Sequence, residues 1–411
     1  MAEAVGTQRD QAPGTTGWLV AETVRLLDFA EGSWDPLGGF GRQDDAGVRA
    51  PGAPAELWIT GRMTHVYALG TMLGHPTSPE LLQHGLTALG GRLRDLAHGG
   101  WFPEVDSGGP VRTDKECYQH MFVVLAASSA TVAGHPRAAE LLDYALHVVD
   151  QRFWSADAGM LAESWDASFT ESEPYRGVNA NMHGVEAMLA AFDATGAEVW
   201  RDRALRVTER VVREFAEPND WRIPEHFDPD WHPLLDYNRD RPDDPFRPYG
   251  STVGHGLEWS RLCLQVAATV GDRAPGWLAE AARQLFDRAV ADGWAVDGAD
   301  GFVYTVDWDG SPVVHQRMHW VLAEAIGAAS TLHAVTGEDR YQRWCVAWWE
   351  YAERYLLDRK LGSWHHELDR ENRPAATVWP GKADAYHAVQ ATLLPRLPVR
   401  GSIAAAVRAG M

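Results

Sequence analysis

The 411-residue sequence predicts an all-α fold, an (α/α)6 barrel of twelve helices with short β-hairpins in the long loops at one end. Three observations lead there. Apolar residues recur at helical spacing in one segment after another, Gly, Pro, Asp and Trp separate the segments, and the connections alternate between tight turns and longer stretches that resemble one another.

The first two helices are expected over 16–31 and 56–74, and the third over 79–98. A long stretch with Gly100-Trp101-Phe102-Pro103-Glu104 leads to 114–133, and the tight turn Gly134-His135-Pro136 leads to 137–153. Gly159-Met160-Leu161-Ala162-Glu163 precedes 180–196, after which the turn Gly196-Ala197 starts 199–216. Trp221-Arg222-Ile223-Pro224-Glu225 stands ahead of 253–270 and 276–292, and Gly301-Phe302-Val303-Tyr304 ahead of 314–336 and 339–357. Gly362-Ser363-Trp364-His365-His366-Glu367 precedes the last helix, 383–396. These long stretches are short alternating apolar runs, several followed by an Asp-containing turn, which reads as small hairpins recurring like an internal repeat.

A helix pair cannot bury both faces alone, so six pairs stacked in a closed ring give inner helices around an axis and outer helices over them. The long connections then gather at one mouth, where a ligand pocket is to be sought first. An open solenoid is the alternative, but its regular period of roughly 33–47 residues is absent. One domain over 1–411 follows, with loose ends at 1–15 and 399–411.

A formal charge of -20 repels polyanions and there is no basic, aromatic-interleaved stripe, so nucleic acid is not an expected partner. No apolar run reaches about 18 residues, so no membrane span is expected. The amino end lacks an export signal, and Cys117, Cys263 and Cys345 are odd in number and far apart, which fits reduced thiols in the cytoplasm. The 19 Trp suit both a large core and sugar stacking. The expected partner is a small sugar bound by a monomer or homodimer.

The chemical candidates sit at or just ahead of helix starts. Arg62 follows Trp58 by one helical turn, a guanidinium beside an indole that suits a hydroxyl or carbonyl oxygen. Asn179 and His183 share a face, although Asn179 also fits an N-cap. His255 and Glu258 are spaced to meet, as are Asp384 and His387, so each carboxylate can set the tautomer of its imidazole. Glycines on both sides of His255 leave room for a ligand. Tyr118, Trp320 and Trp379 are further candidates for the pocket lining, with Glu324 one turn after Trp320. His315 and His319 are the best metal candidates, yet no clear third ligand presents itself and no metal is expected. Two imidazoles on opposite sides of a sugar suit acid–base work at neutral pH.

At these residues the sequence resembles the N-acylglucosamine 2-epimerase superfamily, and within it the mannose isomerase and sulfoquinovose isomerase branch, over roughly 16–397. The carriers are Arg62-Met63-Thr64-His65, Asn179-Ala180-Asn181-Met182-His183, Gly254-His255-Gly256-Leu257-Glu258-Trp259 and Lys382-Ala383-Asp384-Ala385-Tyr386-His387-Ala388-Val389-Gln390. The Tyr386–Gln390 ending is similar to the aldose–ketose isomerases. The resemblance implies an enzyme without metal, nucleotide or other cofactor that interconverts D-mannose and D-fructose, and also D-lyxose and D-xylulose, through a cis-enediolate. It implies His387 as carbon base and His255 as ring-opening acid, or the reverse, with Arg62, Asn179, His183 and Glu258 touching the sugar. A sugar 2-epimerase of the mannose/glucose, N-acylglucosamine or cellobiose type is the alternative, as is a sulfoquinovose isomerase, for which Arg247, Arg317 and Lys382 are the available cations.

Two other classes stay open on the residues alone. A glycoside hydrolase or lyase needs two flanking carboxylates, which Glu104, Asp106, Glu163 and Asp166 could supply. A non-catalytic sugar-binding scaffold would make both histidines satisfied core residues. The loop 226–250, rich in Asp, Pro and Arg, is a candidate lid.

Overall fold

The computed structural model describes residues 12–410. Twelve of its α-helices run in chain order as α1 (Thr16–Ala30), α2 (Leu57–Met72), α3 (Ser78–Gly90), α4 (Cys117–Val132), α5 (Ala138–Val148), α6 (Val178–Thr195), α7 (Glu198–Thr208), α8 (Val253–Val270), α9 (Trp277–Gly293), α10 (His319–Thr336), α11 (Asp339–Tyr351) and α12 (Tyr386–Leu393). The even-numbered helices form the inner wall and the odd-numbered ones cover them. Each inner helix packs on the next and α12 returns to α2, so the ring is closed and the solenoid is ruled out.

Burial explains which helix goes where. In α2 every residue from Leu57 to Gly70 is buried, as a helix packed on all sides requires. In α5 only Ala138, Leu141, Leu142, Ala145, Leu146 and Val148 are buried, one stripe at helical spacing. Inner helices approach closely where a side chain is missing: a Cβ on Gly61 would stand 2.6 Å from Cβ of Phe122 on α4.

Most helices lie close to their expected windows, and the late starts of two of them share a cause. Two residues ahead of each of the first five inner helices pair antiparallel with the next long connection: Ala55–Glu56 with 104–105, Lys115–Glu116 with 164–165, Arg176–Gly177 with 226–227, Ser251–Thr252 with 305–306, and Arg317–Met318 with 367–368. The first helical N–H then donates to the same relative carbonyl, Leu57 to Pro103, Cys117 to Glu163, Val178 to Glu225, Val253 to Tyr304 and His319 to His366. The pairing takes the first residues of the windows 114–133 and 314–336 out of their helices. The sixth joint is made by Lys382, whose N–H donates to the Gln43 carbonyl. At the other end, α3 stops at Gly90 rather than 98, because Asp95 turns the chain by accepting the N–H groups of Ala97 and His98.

The loose end expected over 399–411 is corrected. A thirteenth helix, α13 (Ile403–Gly410), buries Ile403, Ala404, Ala406 and Val407. It packs on α2, α4 and α6 near their carboxyl ends, with Ser402 anchored to Asp193 of α6 through its N–H (2.8 Å) and hydroxyl (2.7 Å). It thereby covers the end of the barrel opposite the mouth. Of the other expected loose end, residues 1–11 lie outside the described residues. No helix among the described residues is long and apolar enough to cross a membrane.

Candidate active site

The amino ends of the inner helices converge on a cavity of about 670 Å³, open mouth included. All eleven expected site residues line it: Trp58 and Arg62 from α2, Tyr118 from α4, Asn179 and His183 from α6, His255 and Glu258 from α8, Trp320 from α10, and Trp379, Asp384 and His387 from α12 and the loop before it. Asn179 stands inside the first turn of α6, whose N-cap is Gly177. Its side chain therefore faces the cavity rather than capping the helix.

The histidines do not pair as their spacing suggests. His255 Nδ1 lies 2.9 Å from each carboxylate oxygen of Glu225, in the connection before α8, and not on Glu258. His387 Nδ1 lies 2.9 Å from Oε1 of Glu324 on α10, and not on Asp384. A carboxylate accepts, so each Nδ1 carries the proton and each Nε2 is left for chemistry. Trp320 sits between the two imidazoles, its ring centroid 5.4 Å from His255 and 5.7 Å from His387. The glycine before His255 serves this wall rather than a ligand, since a Cβ on Gly254 would stand 2.3 Å from the Trp320 ring.

Asp384 is taken by Arg62, whose Nη1 donates to Oδ2 at 3.0 Å while Nη2 donates to the Tyr118 hydroxyl at 3.0 Å. The guanidinium is stacked near Phe122 (4.5 Å), Tyr386 (4.7 Å) and Trp58 (5.0 Å). It is a buried, fixed cation at the cavity wall, not a surface arginine.

Behind the cavity floor stands a charged layer that the spacing of the motifs did not reveal. Arg261 Nε donates to Glu324 at 3.0 Å, its Nη2 lies 3.3 Å from Glu258, and its Nη1 donates to Gln265 at 2.8 Å. His183 Nδ1 is 3.5 Å from Glu186, which also accepts from Tyr386 Oη and from Gln390 (3.2 Å). Burial, then the neighbouring Glu324, holds the Glu258 carboxyl well above the usual carboxylate range. For Glu186 burial acts in the same direction, but His183, Arg261 and Tyr386 outweigh it and keep it low. Burial presses His387 well below the ordinary histidine range, Arg62 adds to this and Asp384 opposes it. The His387 imidazole is therefore neutral at physiological pH.

Glu225, Phe246, Tyr304 and Arg261 were not foreseen as site residues. Glu225 had a partial signal, because it matches Glu163 in the repeated connections, each giving its carbonyl to the first N–H of an inner helix. Glu367 stands one residue further along its own connection, and accepts the N–H groups of Thr377, Val378 and Trp379, so setting the Trp379 wall. Phe246 enters from the loop 226–250 and packs against Trp379 (5.1 Å), Tyr118 (6.1 Å) and Trp58 (6.4 Å). The loop is tied down by Arg247, which donates twice to Glu173 at 2.7 and 2.9 Å.

Of the rival groupings, Glu104 and Glu163 line an adjoining pocket together, whereas the other members are not brought together. His315 bonds Asp297 at 2.9 Å, ahead of a two-residue strand, while His319 opens α10 and lines the cavity, so the two never share a helix face. Asp106 and Asp166 are used in their own turns, accepting from Gly108 and from Thr170 and Glu171. The cations considered for an anionic sugar are engaged: Arg247 by Glu173, Arg317 by Asp297 (2.7 Å) and Lys382 by Asp358 (2.8 Å).

The chain is similar over most of its length to proteins of known name. The family model described as N-acylglucosamine 2-epimerase matches residues 38–391. A D-mannose isomerase of Thermobifida fusca is 54% identical over 392 residues, covering 95% of this chain and 96% of that protein. A D-mannose isomerase of Pseudomonas cannabina pv. alisalensis is 47% identical over 402 residues, covering 97% and 96%. Among solved structures, a D-mannose isomerase superposes with a TM-score of 0.86 at 27% identity, covering 91% of this chain and 96% of that one. With the match running through every inner helix, from the connection before α2 into α12, the chain belongs to the N-acylglucosamine 2-epimerase family.

Proposed function

We propose that the protein is an aldose–ketose isomerase that interconverts D-mannose and D-fructose, using side chains alone for proton transfer. The observation that carries this reading is the pair of imidazoles facing one cavity, each with Nδ1 tied to a carboxylate and Nε2 free. Two relatives matched over nearly their whole length bear the name D-mannose isomerase, and that agrees with it.

The hydrogen on C2 is acidified only in the open-chain aldehyde, so the ring must open first. His255, held by Glu225, passes protons to and from the sugar oxygens. The neutral His387 takes the C2 proton on Nε2 and delivers it to C1, while the hydroxyl proton moves from O2 to O1 by way of His255. The product is the ketose. The negative charge of the enediolate develops beside the Arg62 guanidinium and the Tyr118 hydroxyl, fixed donors in a site partly shielded from water. A positioned general base supplies about 10²–10⁴-fold, so these donors and the Trp58, Trp320 and Trp379 walls contribute the remainder. The free thiols Cys117, Cys263 and Cys345 accord with work in a reducing cytoplasm on a free monosaccharide.

The test is to incubate chelator-treated protein with D-mannose in D₂O and follow products and deuterium by NMR, beside His255→Ala and His387→Ala. Fructose formed by the wild type and lost in both folded variants is expected. Glucose as the first product would make the protein a 2-epimerase, and no product or exchange would remove mannose as substrate.

A further inference from the structure

Two imidazoles in the cavity wall have no part in these proton transfers. His319 opens α10, and its ring lies flat on that of His366, with centroids 3.8 Å apart and planes 17° apart. Both residues line the cavity and both are buried. His319 Nδ1 is 3.3 Å from the His366 carbonyl oxygen, which can only accept, so the proton of this ring is on Nδ1. The carbonyl is itself held in place, because it also accepts the His319 N–H at 3.0 Å.

The remaining ring nitrogen, Nε2, then carries a lone pair. It is buried and meets no hydrogen-bond partner among the described residues. A buried acceptor without a partner is costly, and its natural complement in a sugar site is a hydroxyl that donates. Protonation is not a way out. Burial brings the His319 imidazole down to about 4, and a second imidazole at stacking distance opposes a charge on the first. Lysine and arginine neighbours give no proton to it either, since Lys382 is bonded to Asp358 and Arg62 to Asp384.

We propose that His319 is a specificity-determining residue whose Nε2 accepts a hydrogen bond from a substrate hydroxyl beyond C2, with the His366 ring and carbonyl holding it in that tautomer and orientation. The proposal rests on the isomerase reading, in which the oxygens on C1 and C2 are engaged by the proton-transfer groups and by Arg62. A hydroxyl satisfies Nε2, whereas a sulfonate or phosphate at the same place has no proton to give and sets oxygen lone pairs against a nitrogen lone pair.

The experiment compares kcat/KM for D-mannose and its 3-, 4-, 5- and 6-monodeoxy analogues in the wild-type enzyme and in His319→Phe, which keeps a flat ring on His366 and deletes the acceptor. One analogue is expected to lose about ten- to hundredfold in the wild type, and the same analogue to equal D-mannose in the variant. Equal penalties in both enzymes overturn the proposal. So does a flat series in the wild type alone, every analogue within about threefold of D-mannose, which decides the matter even if the variant fails to fold. Turnover of D-mannose by the wild type separates the two readings: without it the isomerase reading fails and takes this one with it, and with it a flat series removes this one only.

Discussion

Glu324 on α10 accepts from His387 on α12 at 2.9 Å, across 63 residues of sequence, while Asp384, three residues from His387, turns to Arg62 instead. Glu324 thus orients the imidazole proposed as carbon base and is itself held by Arg261. Replacing Glu324 with Gln keeps its size but lets an amide NH₂ face Nδ1, which can favour the wrong tautomer. We expect kcat to fall about 100-fold or more with KM within a few-fold, in steady-state kinetics on a variant whose circular dichroism is unchanged.

The depressed His387 has a consequence for pH. The imidazole must be neutral to take the C2 proton, so activity is lost as pH falls through its lowered pKa. The acid limb of kcat/KM for D-mannose is expected below the ordinary histidine value of about 6.5. An acid limb above that value would count against His387 as the free base.

Stability has its own acid limit. Burial brings His65, His120 and His319 each down to about 4. Between about 6.5 and 4 the unfolded chain binds protons at these positions that the folded protein does not, so stability is full above that window and falls with pH inside it. The buried carboxyls held high, Glu163 and Glu258, act in the opposite sense but are fewer, so thermal melts from pH 7 to pH 4.5 should show a net decrease in Tm.

Arg62 and Asp384 form a buried pair in the cavity wall. Arg62→Met leaves Asp384 without its cation, and removing one member of such a pair costs roughly 3–5 kcal/mol. Urea unfolding should report that loss. Asp384→Asn with Arg62→Met should recover part of it without recovering kcat/KM, because the donor for the enediolate oxygen is still missing.

A control far from the cavity is provided by Asp193, which accepts from the N–H and hydroxyl of Ser402 at the start of α13. Asp193→Ala removes that anchor. We expect a loss of about 1 kcal/mol in chemical denaturation, the usual size of a helix-cap deletion, and kcat unchanged.

Much of this architecture is local in origin. The period of apolar residues, the Gly and Pro turns and the repeated connections each act over a few residues, and they announce six helix pairs and a mouth before any contact is known. The residue types at the helix starts do the same for the site, since an inner helix of a closed ring can point only its first turns at the mouth. Glu225 was legible in part, through its match to Glu163 in the preceding repeat connection.

The charge partners belong to another level. Asp384 and His387 look like neighbours one turn apart, but α12 begins at Tyr386, and Asp384 lies before it, accepting the Tyr386 N–H at 2.8 Å. Glu258 does stand one turn after His255 on α8, yet it faces Arg261 and His183 on the inner side of the ring. His319 and His366, Glu324 and His387, Arg62 and Asp384 meet only when the barrel closes, and Ser402 finds Asp193 only once the far end of the ring exists. Helical period specifies which face of a segment is buried, but not which neighbour that face meets; ring closure selects the neighbour, because a buried charge or imidazole must find its partner wherever the packed helices bring one within hydrogen-bond reach.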